Sequence, residues 1–579
     1  MFYVVFFCWF SEYLRDLINA KVFVARFCLH EVKLQLHIIV EPSRSLVTGS
    51  KTLITKQDYF GEKVALYFLW LGWYTFLLIP PALIGVLVFL YGLSFFNTSP
   101  LVKEVCESNR VMCPLCDEGC KVWKLSETCS YAKVCQDVCS TMFLEMWKRH
   151  RATYISYWKM LDWSELEEEL ILEVVNDAES KPRKSEHSYG FSTLVLICVT
   201  LMVRNLHVHF WLILSKENQS FAARERNFTV KMFTFQFFTY FSSLFYVAFF
   251  LGRINGHPGK YVRIAELWRL EECHPSGCLT DLFIQMTIIM VLKQTISNMI
   301  EITVPWLHKF MKKRKSSQKL RRKCGNCYKK DESELKEGEE LCDNCKLNDW
   351  QKNYQLTDVD SFSLFNEFLE MVIQFSFTTI FVAAFPLAPL FALINNVIEI
   401  RLDAIKMVTL ERRMFPKKTN DIGIWTDILE VIGVLAVIVN GLIIGVSSDF
   451  IPRLLYRFYY GPCANGTATD TDCIAGYINN TLSTALLSDS RVKFDPNQLV
   501  TPDHLNATSC SYKDYRDSDF NFTPQFWLIL SVRFAFVILF EHVLVICKFI
   551  AAWFIPPAPI VVKNEHLDQK HERLLEQLK

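Results

Sequence analysis

Five carboxylates lie within or beside apolar stretches of this chain: Glu301, Glu367, Glu370, Glu399 and Asp403. Glu367 and Glu370 are spaced i, i+3, and Glu399 and Asp403 are spaced i, i+4, so each pair falls on one helical face. Glu301 sits well inside a third apolar segment. Burying one ionised carboxylate costs several kcal/mol, and a group of five also repels itself. Such a group persists when protons or cations neutralise it. Calcium is the natural candidate, a hard ion that takes about 6–8 oxygen ligands at about 2.3–2.6 Å. Two calcium ions would set four positive charges against the five negative ones. The spacing leaves two alternatives open: a proton relay through the same residues, or ordinary helix-end carboxylates in water or paired with Arg401.

A second chemistry-bearing group is Cys324, Cys327, Cys342 and Cys345, which reads CGNC, fourteen residues, then CDNC. Two CxxC knuckles at this separation suit a tetrahedral zinc site with four thiolates. Free or lipidated thiols are the alternative. Lys293 stands about two helical turns before Glu301 and is a candidate pore residue that would attract anions, or a lysine that snorkels to the interface. No phosphate-binding loop, nucleophile elbow or protease motif occurs in the sequence, and no enzyme activity is expected.

The elements that must position these residues are membrane helices. At 51% hydrophobic over 579 residues, composition alone decides nothing. Clustering decides. Val64–Phe96 runs 33 residues without a charge, Met232–Gly252 runs 21, Met371–Ile398 runs 28 and Val431–Ser448 runs 18. A spanning helix needs about 20 apolar residues. Spans are expected near 64–96, 232–252, 282–306, 362–398, 425–448 and 525–555, with an imperfect one at 188–215. Basic clusters at Lys148–Lys159, Lys312–Lys323 and Arg412–Lys418 mark the cytoplasmic side. The sequons at Asn465, Asn479, Asn506 and Asn521, all in the loop 453–524, mark the opposite side as candidate glycosylation sites. A net charge of +1 gives no field that would attract nucleic acid. The N-terminal MFYVVFFCWF lacks a basic n-region and is not expected to be a signal peptide.

The chain thus divides into 1–60, a remnant of an N-terminal cytosolic region; 61–308, a first transmembrane region with a Cys-rich extracellular loop; 309–358, a cytosolic insert with the candidate zinc ribbon; 359–452, the carboxylate-bearing helices; 453–524, a glycosylated extracellular loop; and 525–579, the last spanning helix and a cytosolic tail. The fold class is an all-α polytopic membrane protein.

Several long strings resemble the anoctamin family of calcium-activated chloride channels and phospholipid scramblases. They are FVAAFPLAPLFALINNVIEIRLDA at Phe381–Ala404, YFGEKVALYFLWLGWYT at Tyr59–Thr75, FYVAFFLGRINGHPG at Phe245–Gly259, WRLEECHPSGCLTDL at Trp268–Leu282, SDFIPRL at Ser448–Leu454 and YKDYRD at Tyr512–Asp517. The resemblance implies an anoctamin-type helical bundle, a homodimer of ten-helix subunits, each with its own permeation groove and two calcium ions. The family's acidic ligands map onto Glu301, Glu367, Glu370, Glu399 and Asp403, and its asparagine ligand, one turn before the first glutamate, maps onto Asn298. It also implies extracellular disulfides among Cys106, Cys113, Cys116, Cys120 and Cys129, Cys273 with Cys278, Cys463 with Cys473, and one at Cys510. Dimerisation through the last helix agrees with the polar Arg533, Glu541 and His542 that interrupt it.

The chain also departs from that pattern. The N-terminal domain is nearly absent, the second spanning helix looks cut, and Tyr189–Lys231 holds room for about one span where the family has its third and fourth. The expected function is calcium-activated passage of phospholipids, chloride or other ions through a groove gated inside the membrane. The alternative is a non-conducting, calcium-binding membrane subunit or shortened isoform that modulates a full-length partner. The expected location is the plasma membrane, with the endoplasmic reticulum as the other candidate.

Overall fold

The structure is a computed structural model that describes residue 30 and residues 59–94, 100–114, 123–129, 221–253, 256–264, 268–269, 278–324, 353–354, 356–359, 363–419, 421–464, 473–486 and 508–554, with 564, 567–568, 570–571 and 575. Cys116, Cys120, Cys273, Cys327, Cys342, Cys345, Asn465 and Asn506 lie outside the described residues, as do the segment at 188–215 and the shortened second helix. The zinc reading therefore has only Cys324 within the described chain.

Without water, backbone N–H and C=O groups must bond within the chain, so long apolar runs become helices. α1 (Glu62–Leu77) and α2 (Ile79–Ser94) share the first run. Pro80 and Pro81 fall in the first turn of α2, where a missing N–H costs nothing. Next come α3 (Pro100–Glu107), β1 (Val111–Met112), β2 (Trp123–Lys124) and α4 (Phe221–Phe245), which continues as a π-helical turn at Tyr246–Phe250. Two hairpins follow, β3 (Gly256–His257) with β4 (Lys260–Tyr261) and β5 (Arg263–Ile264) with β6 (Trp268–Arg269). α5 (Cys278–Thr287) leads through a π-helical turn at Ile288–Lys293 into α6 (Gln294–Cys324), which runs unbroken past residue 308.

The helix expected over 362–398 is in fact two, α7 (Ser363–Ile380) and α8 (Ala388–Ile405). Pro386 is the cause: it lacks an N–H, and it disfavours helical geometry at Phe385. Pro389, in the first turn of α8, suits a helix start. α8 ends in a π-helical turn at Lys406–Leu410. α9 (Trp425–Leu442) with its turn Ile443–Ser447, α10 (Phe450–Leu455), β7 (Leu482–Leu486), β8 (Ser509–Lys513) and α11 (Pro524–Phe554) complete the chain. Among the described residues, five helical stretches are long and apolar enough to cross a membrane: Glu62–Tyr91, Glu225–Phe250, Asp281–Met311, Trp425–Ser447 and Pro524–Ala551.

Two compact units emerge. The first combines Met1–Trp73, Thr295–Glu367 and Asn396–Asp421. In it the chain following α8 is held by polar ties. Arg412 donates to Asp358 Oδ1 and to the Tyr354 carbonyl, each at 2.8 Å, and Arg413 Nε donates to the Tyr59 carbonyl at 2.9 Å. The His30 ring bridges the Tyr59 hydroxyl (2.5 Å) and the Glu411 carbonyl (2.8 Å).

The second unit combines Tyr74–Gln294, Phe368–Asn395 and Ile422–Lys579. Its core includes a run of stacked rings, Phe237, Phe241 and Phe377, with the first two centroids 4.3 Å apart and the next two 4.4 Å. Gly441 and Gly445 admit Phe540 and Val537 of α11, the small-residue solution for close helix approach. Gly85 of α2 does the same for the turn between α7 and α8, because a Cβ there would overlap the Pro386 carbonyl oxygen. Gly85→Ala should therefore lower stability by about 1–3 kcal/mol. Thermal unfolding in detergent, with the neighbouring Ile84→Ala on an exposed position as control, checks it.

The loops of this unit add β structure to an otherwise helical chain. A four-stranded sheet runs β2-β1-β8-β7. β1 pairs with β8 through Met112 and Ser511, and beside that pair Cys113 is disulfide-bonded to Cys510. Cys106–Cys129 and Cys463–Cys473 are also bonded. Asn479 and Asn521 are exposed.

Candidate functional site

α8 carries a polar stripe at helical spacing: Asn396, Glu399, Asp403 and Lys406, at 0%, 1%, 1% and 4% exposure. Four buried polar residues on one face of an apolar helix need partners. Within the first unit Tyr67 of α1 partners Asp403, and Glu301 of α6 and Glu367 of α7 partner Lys406. The break at Pro386 is what makes this arrangement available, since it returns α8 toward the level where α7 began.

The carboxylate oxygens of Glu301, Glu399 and Asp403 lie within 4.8 Å of one another. Lys406 Nζ donates to Glu301 Oε1, donates to Glu367 Oε1 at 2.7 Å, and lies 3.7 Å from Asp403 Oδ1. The Tyr67 hydroxyl donates to Asp403 Oδ2 at 2.5 Å. Three carboxylates thus share a single ammonium group, and Glu399 brings a fourth beside them, a local excess of negative charge. Asp403 Oδ1 is buried and accepts no hydrogen bond among the described residues. The donor set fits a hard divalent cation: carboxylate oxygens, one of them without a hydrogen bond, and a cationic group already seated among them.

Asn298 is buried, at 8% exposure, one turn before Glu301. Glu370 falls in the second unit, where its Oε1 accepts from Gln294 Nε2 at 2.7 Å. Arg401 is exposed; the basic partner of the cluster is Lys406. Lys293 places its Nζ 3.3 Å from the centroid of the Tyr240 ring, a cation–π contact. Past the end of α8, burial pushes the Glu411 carboxyl up to about 7 against the nearby Lys406 charge. Two residues of the cluster escape a reading from spacing of acids alone. Lys406 stands at i+3 from Asp403 and carries its own signal, a base on the acidic stripe. Tyr67 has none, being 336 residues away in sequence.

The family model described as "Anoctamin: Calcium-activated chloride channel" matches residues 57–215 and 169–569. The chain is 44% identical to mouse anoctamin-9, over 96% of this chain and 80% of that protein. It is 38% identical to human anoctamin-4, over 89% of this chain and 61% of that protein, and 31% identical to mouse anoctamin-5, over 87% and 63%. It therefore spans less than two thirds of the length of several of the curated relatives it matches. A multi-pass helical membrane architecture, an acidic cluster buried between helices and a match over most of the chain agree: this chain belongs to the anoctamin family.

Proposed function

We propose that this chain is a calcium-activated transport protein that passes phospholipids, chloride or both through a groove gated inside the membrane. The observation that carries this reading is the meeting of Glu301, Glu399 and Asp403 on two helices, with oxygens within 4.8 Å. Glu301, Glu367, Glu399 and Asp403 would hold the ion from α6, α7 and α8, with Asn298 and Glu370 added by family resemblance. Bound calcium supplies the positive charge that offsets repulsion among these carboxylates. Glu301 is the most exposed of the clustered acids, at 25% of its side chain, so α6 is the helix with most to gain by closing on the site. Glu399 and Asp403 stay fixed by burial, and Tyr67 orients Asp403. Differential affinity for the cation then shifts the population of α6 positions, and the groove opens without any covalent step.

The same reading makes the chain a homodimeric, glycosylated protein of the plasma membrane or endoplasmic reticulum, with two calcium ions in each subunit. Zinc on Cys324, Cys327, Cys342 and Cys345 would brace the linker that joins α6 to α7. Zinc analysis of the purified protein checks that point.

Patch-clamp current and annexin-type lipid exposure, both recorded against cytosolic calcium, test the transport reading. Lipid exposure rising with calcium is expected for a scramblase and current alone for a channel. Silence in both, with the protein at the surface and calcium saturating, would overturn it in favour of the non-conducting subunit.

A further inference from the structure

The position of Lys406 has a consequence beyond the ligand set. Lys406 is 4% exposed and stands just past the end of α8, and its ammonium is bonded to Glu301 and Glu367, with Asp403 Oδ1 at 3.7 Å. A side chain of this length on a helix end has other places to go. Lysine rotamers are many, and the stem normally carries the charge toward water. Here the amine is instead folded inward onto the carboxylates that would bind a divalent ion. An ammonium and a calcium ion cannot share the same oxygens at close range, because both are cations in a poorly screened interior.

We infer that Lys406 is a tethered counter-ion that competes with the divalent cation for Glu301, Glu367 and Asp403, and so sets the calcium concentration at which the site fills. The inference rests on the proposed calcium reading of the cluster. The amine neutralises part of the acidic charge and keeps the helices packed when calcium is scarce. It must leave these oxygens for calcium to take them. Two properties of one residue follow with opposite signs. Removing the amine destabilises the calcium-free protein, because the carboxylates lose their cation. The same removal favours the ion, because nothing has to be displaced. A lysine that merely packed would lower stability with and without calcium alike and would leave affinity untouched or weaken it. A π-helical turn opens at Lys406, a feature often found at functional sites.

The experiment uses purified full chain in lipid nanodiscs, with thermal unfolding and direct binding of calcium as the sole added ligand, neither of which depends on transport. Lys406→Met should lower the calcium midpoint by about tenfold, or about 1.4 kcal/mol of binding. It should also lower the unfolding temperature in chelator and enlarge the calcium-induced rise. Lys406→Arg, which keeps the charge, should bind within about threefold of the parent. An unchanged or raised calcium midpoint in Lys406→Met, with the parent binding calcium normally, overturns the counter-ion. A parent that binds no calcium overturns the underlying site reading instead. Should Lys406→Met not fold, the comparison is made between Glu301→Gln and Glu301→Gln/Lys406→Met. There one acid and one base are removed together, and the same leftward shift on losing the lysine is required.

Discussion

Asp403→Asn should raise the calcium concentration needed for half-maximal binding by about 10- to 100-fold, the largest effect of any single substitution in the cluster. The ion's affinity in an oxygen site follows the number of charged ligands and their rigidity. Asp403 contributes on both counts. It is 1% exposed, and the Tyr67 hydroxyl holds its Oδ2 at 2.5 Å. Its Oδ1 accepts no hydrogen bond among the described residues and faces the Lys406 ammonium at 3.7 Å, so a cation that displaces the amine meets a carboxylate oxygen already turned to it. Asparagine keeps the shape and can still accept from Tyr67, so the fold should hold and the loss should be one of charge. Calcium-dependent thermal shift and direct binding measure it. Glu370→Gln should also move the midpoint upward, but less, because Glu370 already shares its Oε1 with Gln294. An Asp403→Asn protein with the parent's midpoint would remove Asp403 from the ligand set.

The acids of the site were legible because membrane helices magnify them. Carboxylates that flank an uncharged run of 28 residues, as Glu370 and Glu399 do, are conspicuous, and helical spacing groups such residues by face. The uncharged runs at 64–96, 232–252 and 431–448 each fall on an observed membrane-length stretch, Glu62–Tyr91, Glu225–Phe250 and Trp425–Ser447, whereas the run at 371–398 does not form one long span. The break in the run that ends at Ile398 was harder to see. Hydropathy carries no trace of a turn between two apolar helices, and only Pro386 and Pro389 mark it. Lys406 carried a signal in its i+3 spacing from Asp403, but its direction did not follow from it, because a lysine near a helix end ordinarily reaches for water. Tyr67 was hidden by distance in sequence, since nothing in α1 advertises a partner on α8. The disulfide Cys113–Cys510 was likewise beyond spacing, because its two cysteines lie 397 residues apart.

The break at Pro386 sets up the second large effect. Turning a chain between two membrane helices strands backbone groups with no water to satisfy them, at about 1–3 kcal/mol for each group left unpaired. Asn440 of α9 answers this. Its Oδ1 accepts from the Ala383 N–H at 3.0 Å, and its Nδ2 donates to the Thr379 and Ala436 carbonyls, each at 2.8 Å. An asparagine in the middle of an apolar helix is itself costly to bury, and it is 7% exposed. With both ends of the amide paired, that cost is offset and the turn gains a fixed partner. Asn440→Leu keeps the volume and removes all three bonds. It leaves the Ala383 N–H and the Thr379 carbonyl without this partner, for an expected loss of about 2–5 kcal/mol. The apparent unfolding temperature should fall by about 2–5 °C, read by loss of the monodisperse peak after heating in detergent. Ile438→Leu, two residues earlier and 38% exposed, should leave that temperature within about 1 °C of the parent. Asn440→Ser, which can restore one of the lost bonds, should fall between the two. If Asn440→Leu unfolds with the parent, the turn finds its hydrogen bonds elsewhere, and the amide is packing material rather than the clasp of the helix pair.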